Sequence, residues 1–253
     1  GFEYEASLTS ETKVLVVDIG GGTTDCSMLL MGPKQALLTD RARDLLSHSG
    51  ERVGGNDFDI AFALKGIMPS FGLNSLLKSG KPMPSNSYWQ AMAINNINHQ
   101  TEFYSAANTR FLEQLIRDSE NPELLTRLLT VQQQKLSYRV VNAAEQSKIG
   151  LTETSEQKID LSDIDNGLNI KLNNEDFETA CKRELNAIAV LMTDAITQAN
   201  CQPDVVFVTG GSAKSPVLNR FLQKQFQDTP IVIGDHFGSV TAGLTRWAKT
   251  IYA

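Results

Sequence analysis

Residues 14–31 run VLVVDIGGGTTDCSMLLM. The first arm is β-branched and apolar up to Asp18, three glycines interrupt it, and the second arm is apolar through Met31. Two apolar runs separated by glycines predict a strand, a tight turn and a second strand. Consecutive glycines let the backbone approach a ligand closely, and their N–H groups can point into one concavity that suits phosphate oxygens. Asp18, at the end of the first strand, suits the water shell of a magnesium ion, or a water attacking a γ-phosphate, better than direct phosphate contact. The dinucleotide fingerprint does not fit, because GGGTTD (20–25) lacks the third glycine and runs into a strand, and no GxxxxGK[ST] is present. A glycine-rich β-turn with solvated acids is the plain alternative for DIGGGTTD (18–25) taken alone.

Working outward, residues 36–53 predict further short strands with polar turns around Asp40–Asp44 and Ser47–Glu51. A helix is expected after Gly55, with Asn56 as N-cap and Phe58, Ala61, Phe62 and Leu64 as its apolar stripe. Residues 66–87 are rich in Gly, Pro, Ser and Asn and predict irregular chain. Helices are predicted over Tyr88–Asn98, Thr101–Ser119 and Pro122–Ile149, the last one bent, then short β-like runs in IDLSDI (159–164) and LNIKL (168–172). One stripe from Phe177 to Ile196 predicts a single helix over 175–199, with Glu175, Asp176 and Glu178 at the positive end of its dipole. The chain closes with strand Val205–Thr209, helix Pro216–Phe226, strand Ile231–Ile233 and helix Ser239–Tyr252. The fold expected is α/β, a five-stranded mixed sheet with flanking helices built from residues 1–55 and 150–253, with an inserted helix-rich sub-domain over 56–149.

A second glycine turn follows the later strand in VVFVTGGS (205–212), and AKSP (213–216) leads into a helix. Such a turn offers backbone donors and a flat approach surface to a nucleotide. It is equally an ordinary strand-to-helix turn with Pro at the first helical position.

Composition narrows the classes. Of 253 residues, 41% are apolar and 21% charged, which excludes a disordered or collagen-like chain and is enough to bury a core. Lys plus Arg number 23 against 29 acids, a net charge of −6 that argues against a nucleic-acid or membrane partner. Cys26, Cys181 and Cys201 form no CxxC pair, a pattern that fits a reducing cytoplasm better than disulfides or zinc. No apolar run has membrane-span length, and the polar, acidic start is no secretory signal. A start without Met leads us to expect an excerpt from a longer protein. His48, His99 and His236 are scattered, which favours surface or packing roles. Asp57 and Asp59, two apart on a helix, cannot face each other as a carboxylate pair. Ser212 near Lys214 has no identifiable base.

Taken in order, DIGGGTTD (18–25), GGNDFD (54–59) and VTGGSAKSP (208–216) resemble the second half of the nucleotide-binding domain of DnaK-type heat-shock chaperones, in the actin, hexokinase and heat-shock ATPase superfamily. The resemblance runs from about Tyr4 to Ala248 with a gap over 66–135, and short bacterial chaperones of the YegD type look nearest. It implies a ribonuclease H-like, actin-type ATPase lobe that binds ATP or ADP with magnesium between two lobes and couples binding and hydrolysis to conformational change. By position, Asp18 resembles the catalytic acid that holds magnesium-bound water, and Gly20, Gly21, Gly22 and Thr23 the β/γ-phosphate loop. Gly55 falls near the nucleotide, while Asn56 stands where the family has an acid. AEQSKIG (144–150) resembles the family's CERAKRT helix and the matching stretch of the bacterial filament protein MreB. On it, Glu145 and Lys148 would grip ribose hydroxyls, Ile149 replaces an arginine packed on adenine, and Thr152 closes the set. Gly210, Gly211 and Ser212 resemble the adenosine loop, with Lys214 in place of an arginine over the adenine ring. The implied partners are a first lobe carrying its own DxGTT hairpin, absent from this sequence, and client proteins or co-chaperones. The half-domain alone is expected to be inactive. A small-molecule kinase lobe of the same superfamily and a non-hydrolysing or filament-forming scaffold are the alternatives.

Overall fold

The computed structural model describes residues 2–234. In chain order its strands are β1 (Thr12–Ile19), β2 (Thr24–Met31), β3 (Leu45–Glu51), β4 (Glu156–Asp160), β5 (Asn169–Asn173), β6 (Val205–Thr209) and β7 (Ile231–Ile233). The helices are α1 (Phe2–Ala6), α2 (Gly55–Phe62), α3 (Asn86–Met92), α4 (Ile97–Phe103), α5 (Ala106–Asp118), α6 (Pro122–Gln133), α7 (Ser137–Gly150), α8 (Asn174–Ala180), α9 (Lys182–Ala199) and α10 (Pro216–Gln225). Two compact units result, one from residues up to Asn56 together with those from Arg183 onward, the other spanning Asp57–Lys182.

In the first unit five strands form one mixed sheet in the order β3-β2-β1-β6-β7. β1 runs antiparallel to β2, and β2 to β3, whereas β1–β6 and β6–β7 are parallel. Strict alternation puts Leu15, Val17, Ile19, Cys26 and Met28 on one fully buried face. On that side Ser47 and Ser49 donate hydroxyl hydrogen bonds to the carbonyls of Ala195 (2.5 Å) and Leu191 (2.8 Å) on α9. The opposite face buries Val14, Met31 and Phe207 with Tyr4, Leu8, Val16, Leu29 and Val232, and the Tyr4 ring lies 5.1 Å from that of Phe207. Arg41 holds α1 in place, donating to both Glu5 oxygens at 2.6 and 2.9 Å and to Asp44 at 2.6 Å.

The turn predicted over Ser47–Glu51 is therefore strand β3. Its polar residues belong to an edge strand, whose serines satisfy helix carbonyls on one side while His48 meets solvent on the other. Asn56 is not a flanking cap but lies within the first turn of α2.

The second unit holds most of α2, α3 to α7, the separate β4–β5 hairpin and α8. The expected division at 149 grouped the hairpin with the α/β core, but it clusters with the helices. Ile159, Ile170 and Leu172 are its buried residues, and Leu172 stands against Gly66 in the π-turn that prolongs α2. The three helices predicted over 88–149 are five. Asn96 and Ser105 cap α4 and α5 through their side-chain oxygens, and Lys135, at φ 58°, makes the break between α6 and α7 where a bend was expected.

The helix predicted over 175–199 is two. An Asn173–Asp176 capping box starts α8, and the break at Cys181 lies beside the boundary of the units. One periodic stripe serves two cores: Phe177 packs edge-on against Phe62 (5.1 Å) and Phe58 (6.1 Å) in the second unit, while Ile188, Met192 and Ala195 fill the first. The helix predicted over Ser239–Tyr252, and His236, lie outside the described residues. Among those described, no helix is long and apolar enough to cross a membrane.

Candidate functional site

Parallel pairing decides where the glycine turns go. Asp18 of β1 stands opposite Thr209 of β6, so both strands end at the same edge of the sheet and release GGG (20–22) and GG (210–211) side by side. Carboxyl edges of parallel strands are where open α/β sheets place ligands. Gly210 sits at φ 94°, and a Cβ there would lie 2.6 Å from the Ile19 carbonyl carbon, closer still to its oxygen, and 2.8 Å from Asp18 Oδ1. Only glycine can pass that close to the end of β1.

The first turn is closed by the Gly20 N–H donating to the Thr23 carbonyl at 2.9 Å. The Gly20 and Gly21 carbonyls accept from the N–H groups of Gly55 (2.9 Å) and Asn56 (2.7 Å) at the start of α2. Gly54 makes this docking possible, since its Cβ would meet Gly20 O at 2.7 Å. In a trans peptide N–H and C=O point in opposite directions. The N–H groups of Gly21 and Gly22, which share peptides with those two carbonyls, therefore face away from α2, and both residues are exposed, as is Thr23. The Gly55 N–H is engaged by Gly20, so Gly55 braces the loop from behind.

Asp18 is half-buried. Burial, and then the charge of Asp25 opposite it on β2, hold its carboxyl above the usual range for an aspartate. Among the described residues no three His, Cys, Asp or Glu side chains gather to hold a metal ion. One carboxylate beside outward amides is the donor set that suits a hydrated magnesium ion sharing phosphate oxygens. Following β6, Gly211 and Lys214 are exposed and Ser212 half-buried, while Ser215 caps α10 by accepting from the Leu218 N–H.

Beside this edge the sheet brings together two side chains that the sequence does not link. Asp25 and His48 approach to 3.6 Å, and His48 Nδ1 lies 3.0 Å from Ser27 Oγ. The signal for them was strand register, invisible while Ser47–Glu51 counted as a turn.

Glu145, Lys148, Ile149 and Thr152 belong to the second unit, on the last turns of α7 and just beyond it. Lys148 Nζ lies 2.7 Å from Asp59 Oδ1, a pair with side chains only 16% and 6% exposed. Burial pushes the Asp59 carboxyl up to about 6, although Lys148 pulls it down, and Glu145 and Asp57 add to the rise. Glu145 accepts a 3.4 Å hydrogen bond from Asn142 Nδ2. Ile149 is 51% exposed, and the exposed Thr152 donates its hydroxyl to the Ile149 carbonyl at 2.7 Å. Asp57, two residues away on the same helix, cannot face Asp59; the partner of Asp59 is Lys148, on another helix.

No family model matches the chain. It is similar to the chaperone protein dnaK1 of Synechocystis sp., with 26% identity over 232 residues, which takes in 88% of this chain and 25% of that protein. The chain thus spans about a quarter of the length of the relative it matches. That similarity supports a DnaK-like relationship at a coarse level, and the five-stranded mixed sheet with flanking helices is compatible with an actin-like fold.

Proposed function

We propose that this chain is the second lobe of the nucleotide-binding domain of a DnaK-like chaperone ATPase, of ribonuclease H-like actin type. On this reading it binds ATP or ADP with magnesium together with a first lobe of the same protein and couples binding to conformational change. The observation that carries the proposal is the pair of outward amides at Gly21 and Gly22, beside the Asp18 carboxylate and the Gly210 turn. Gly22 and Gly211 support it further: a Cβ at either would meet nothing within 4 Å, so the fold itself does not demand glycine there. On this reading that open space is where a ligand comes close to the backbone.

Gly20, Gly21, Gly22 and Thr23 then form the loop that cradles the β- and γ-phosphates, with the outward N–H groups of Gly21 and Gly22 as its donors. Magnesium, when bound, would neutralise charge on the phosphates, and Asp18 would accept hydrogen bonds from water held by the metal and orient it. Gly210, Gly211 and Ser212 offer a flat backbone surface to adenosine, with the exposed Lys214 over the ring. Glu145 and Lys148 complement a sugar diol as acceptor and donor, and Ile149 and Thr152 flank them. Clients or co-chaperones and a cytoplasmic location go with this reading.

Calorimetric titration of the complete protein, with both lobes, against Mg-ATP tests it through Gly22→Ala. The added methyl has free space, so the melting temperature should stay put while affinity drops about tenfold, the equivalent of one lost charge-assisted hydrogen bond. Unchanged affinity would remove the phosphate role from the hairpin.

A further inference from the structure

The contact between Asp59 and Lys148 is poorly accounted for by stability. Asp59 sits in α2 and Lys148 in the last turn of α7, both within the second unit, with Nζ 2.7 Å from Oδ1. The groups that act on Asp59 are Lys148 and Glu145 from α7 and Asp57 from its own helix; Lys65, the next cation along the chain, donates instead to the Ala180 carbonyl at 2.8 Å. Desolvation of Asp59 outweighs the attraction of Lys148, since the carboxyl rises to about 6 despite it. A buried pair of this kind is commonly no more stabilising than apolar residues of the same volume. What it does secure is geometry. Lysine is a point charge on a flexible four-carbon stem, and a nearly fully buried carboxylate fixes where that charge sits.

We propose that Asp59 is a positioning residue, which holds the Lys148 ammonium one helical turn from Glu145 so that the two side chains present a donor and an acceptor to a vicinal diol. The proposal rests on the nucleotide reading above and deepens it: sugar recognition depends on a residue that does not touch the sugar. Protonating Asp59 removes the anchor, so discrimination for the diol falls as the pH drops through about 6. The outward amides of Gly21 and Gly22 have no part in this device, and affinity for the phosphates alone is independent of it.

Two measurements on the same protein test it. The first compares titrations with Mg-ATP, Mg-2′-deoxy-ATP and Mg-triphosphate at about pH 8 and about pH 5 for wild type, Asp59→Asn, Asp59→Glu and Lys148→Gln. Wild type should favour ATP over the deoxy compound by about tenfold at the higher pH and clearly less at the lower. Asp59→Asn should show the low preference at both, Asp59→Glu should recover part of it, and triphosphate binding should not change. A wild-type preference and pH profile in Asp59→Asn overturns the proposal. The second follows the Lys148 ammonium by nitrogen NMR without nucleotide. Order in wild type that is lost in Asp59→Asn supports positioning even if no nucleotide binds, in which case the nucleotide reading alone fails. Equal mobility in both overturns positioning whatever ATP does.

Discussion

At the residue scale, Asp18 and Gly210 define each other. A side chain at Gly210 would strike the end of β1 and the Asp18 carboxylate in a left-handed backbone conformation. Gly210→Ala should therefore cost more than about 2 kcal/mol, measured by denaturant unfolding, while Gly211→Ala, with open space around it, should stay within about 0.5 kcal/mol. If the proposed function holds, Asp18→Asn should slow ATP turnover in the complete protein much more than it weakens ATP binding, because on that reading the acid acts on water positioned for the transition state. Its stability effect has a definite sign. The folded carboxyl titrates above its unfolded value, so this group favours the fold in acid and loses that contribution as pH rises through its folded pKa. Asp18→Asn should thus melt no lower than wild type at neutral pH, the mark of a residue kept for chemistry. Asp59 follows the same sign: raised from 3.8 to about 6, it withdraws about 3 kcal/mol of stability between acid and neutral pH at 1.36 kcal/mol per unit. Melting curves of wild type should fall over that window more steeply than those of Asp59→Asn. The resemblance of AEQSKIG (144–150) assigned Glu145 and Lys148 to a diol, but the contact of Lys148 with Asp59 was not legible, because the two are far apart in sequence.

At the element scale, boundaries moved where one pattern serves two neighbours. The stripe from Phe177 to Ile196 has a single helical phase, yet α8 and α9 feed different cores and part at Cys181. Asn173 starts α8 with both halves of a capping box, its side chain accepting from Glu175 and Asp176 and its N–H donating to Asp176. Asn173→Ala should cost about 1 kcal/mol in thermal unfolding. β3 was hidden for a related reason. Edge strands carry polar residues, and Ser47, His48, Ser49 and Gly50 look like a turn until Ser47 and Ser49 find carbonyls on α9. By contrast β1, β2, β6 and β7 were legible almost residue for residue, since apolar runs bounded by glycine leave little choice.

At the scale of the whole molecule, the two-lobe reading predicts that this chain alone binds ATP weakly and hydrolyses none above background. Two or three missing charge-assisted contacts of about 1.5–3 kcal/mol each would lower affinity roughly 100-fold to 10⁶-fold. Magnesium-dependent phosphate release by the chain, abolished in Asp18→Asn, would sink that reading. The sequence by itself determined the α/β character, the glycine hairpin at 18–25 and the second glycine turn at 210–211, because local apolar runs and glycines dictate strands and turns without help from distant residues. The tertiary structure decided the rest. Parallel pairing of β1 with β6 put the two turns at one sheet edge, docking on α2 turned the Gly21 and Gly22 amides outward, and packing of α2 with α7 joined Asp59 to Lys148. Each of these joins residues from separate elements, some of them nearly two hundred positions apart, and strand pairing and helix packing, which bring them together, leave no local trace in the order of amino acids.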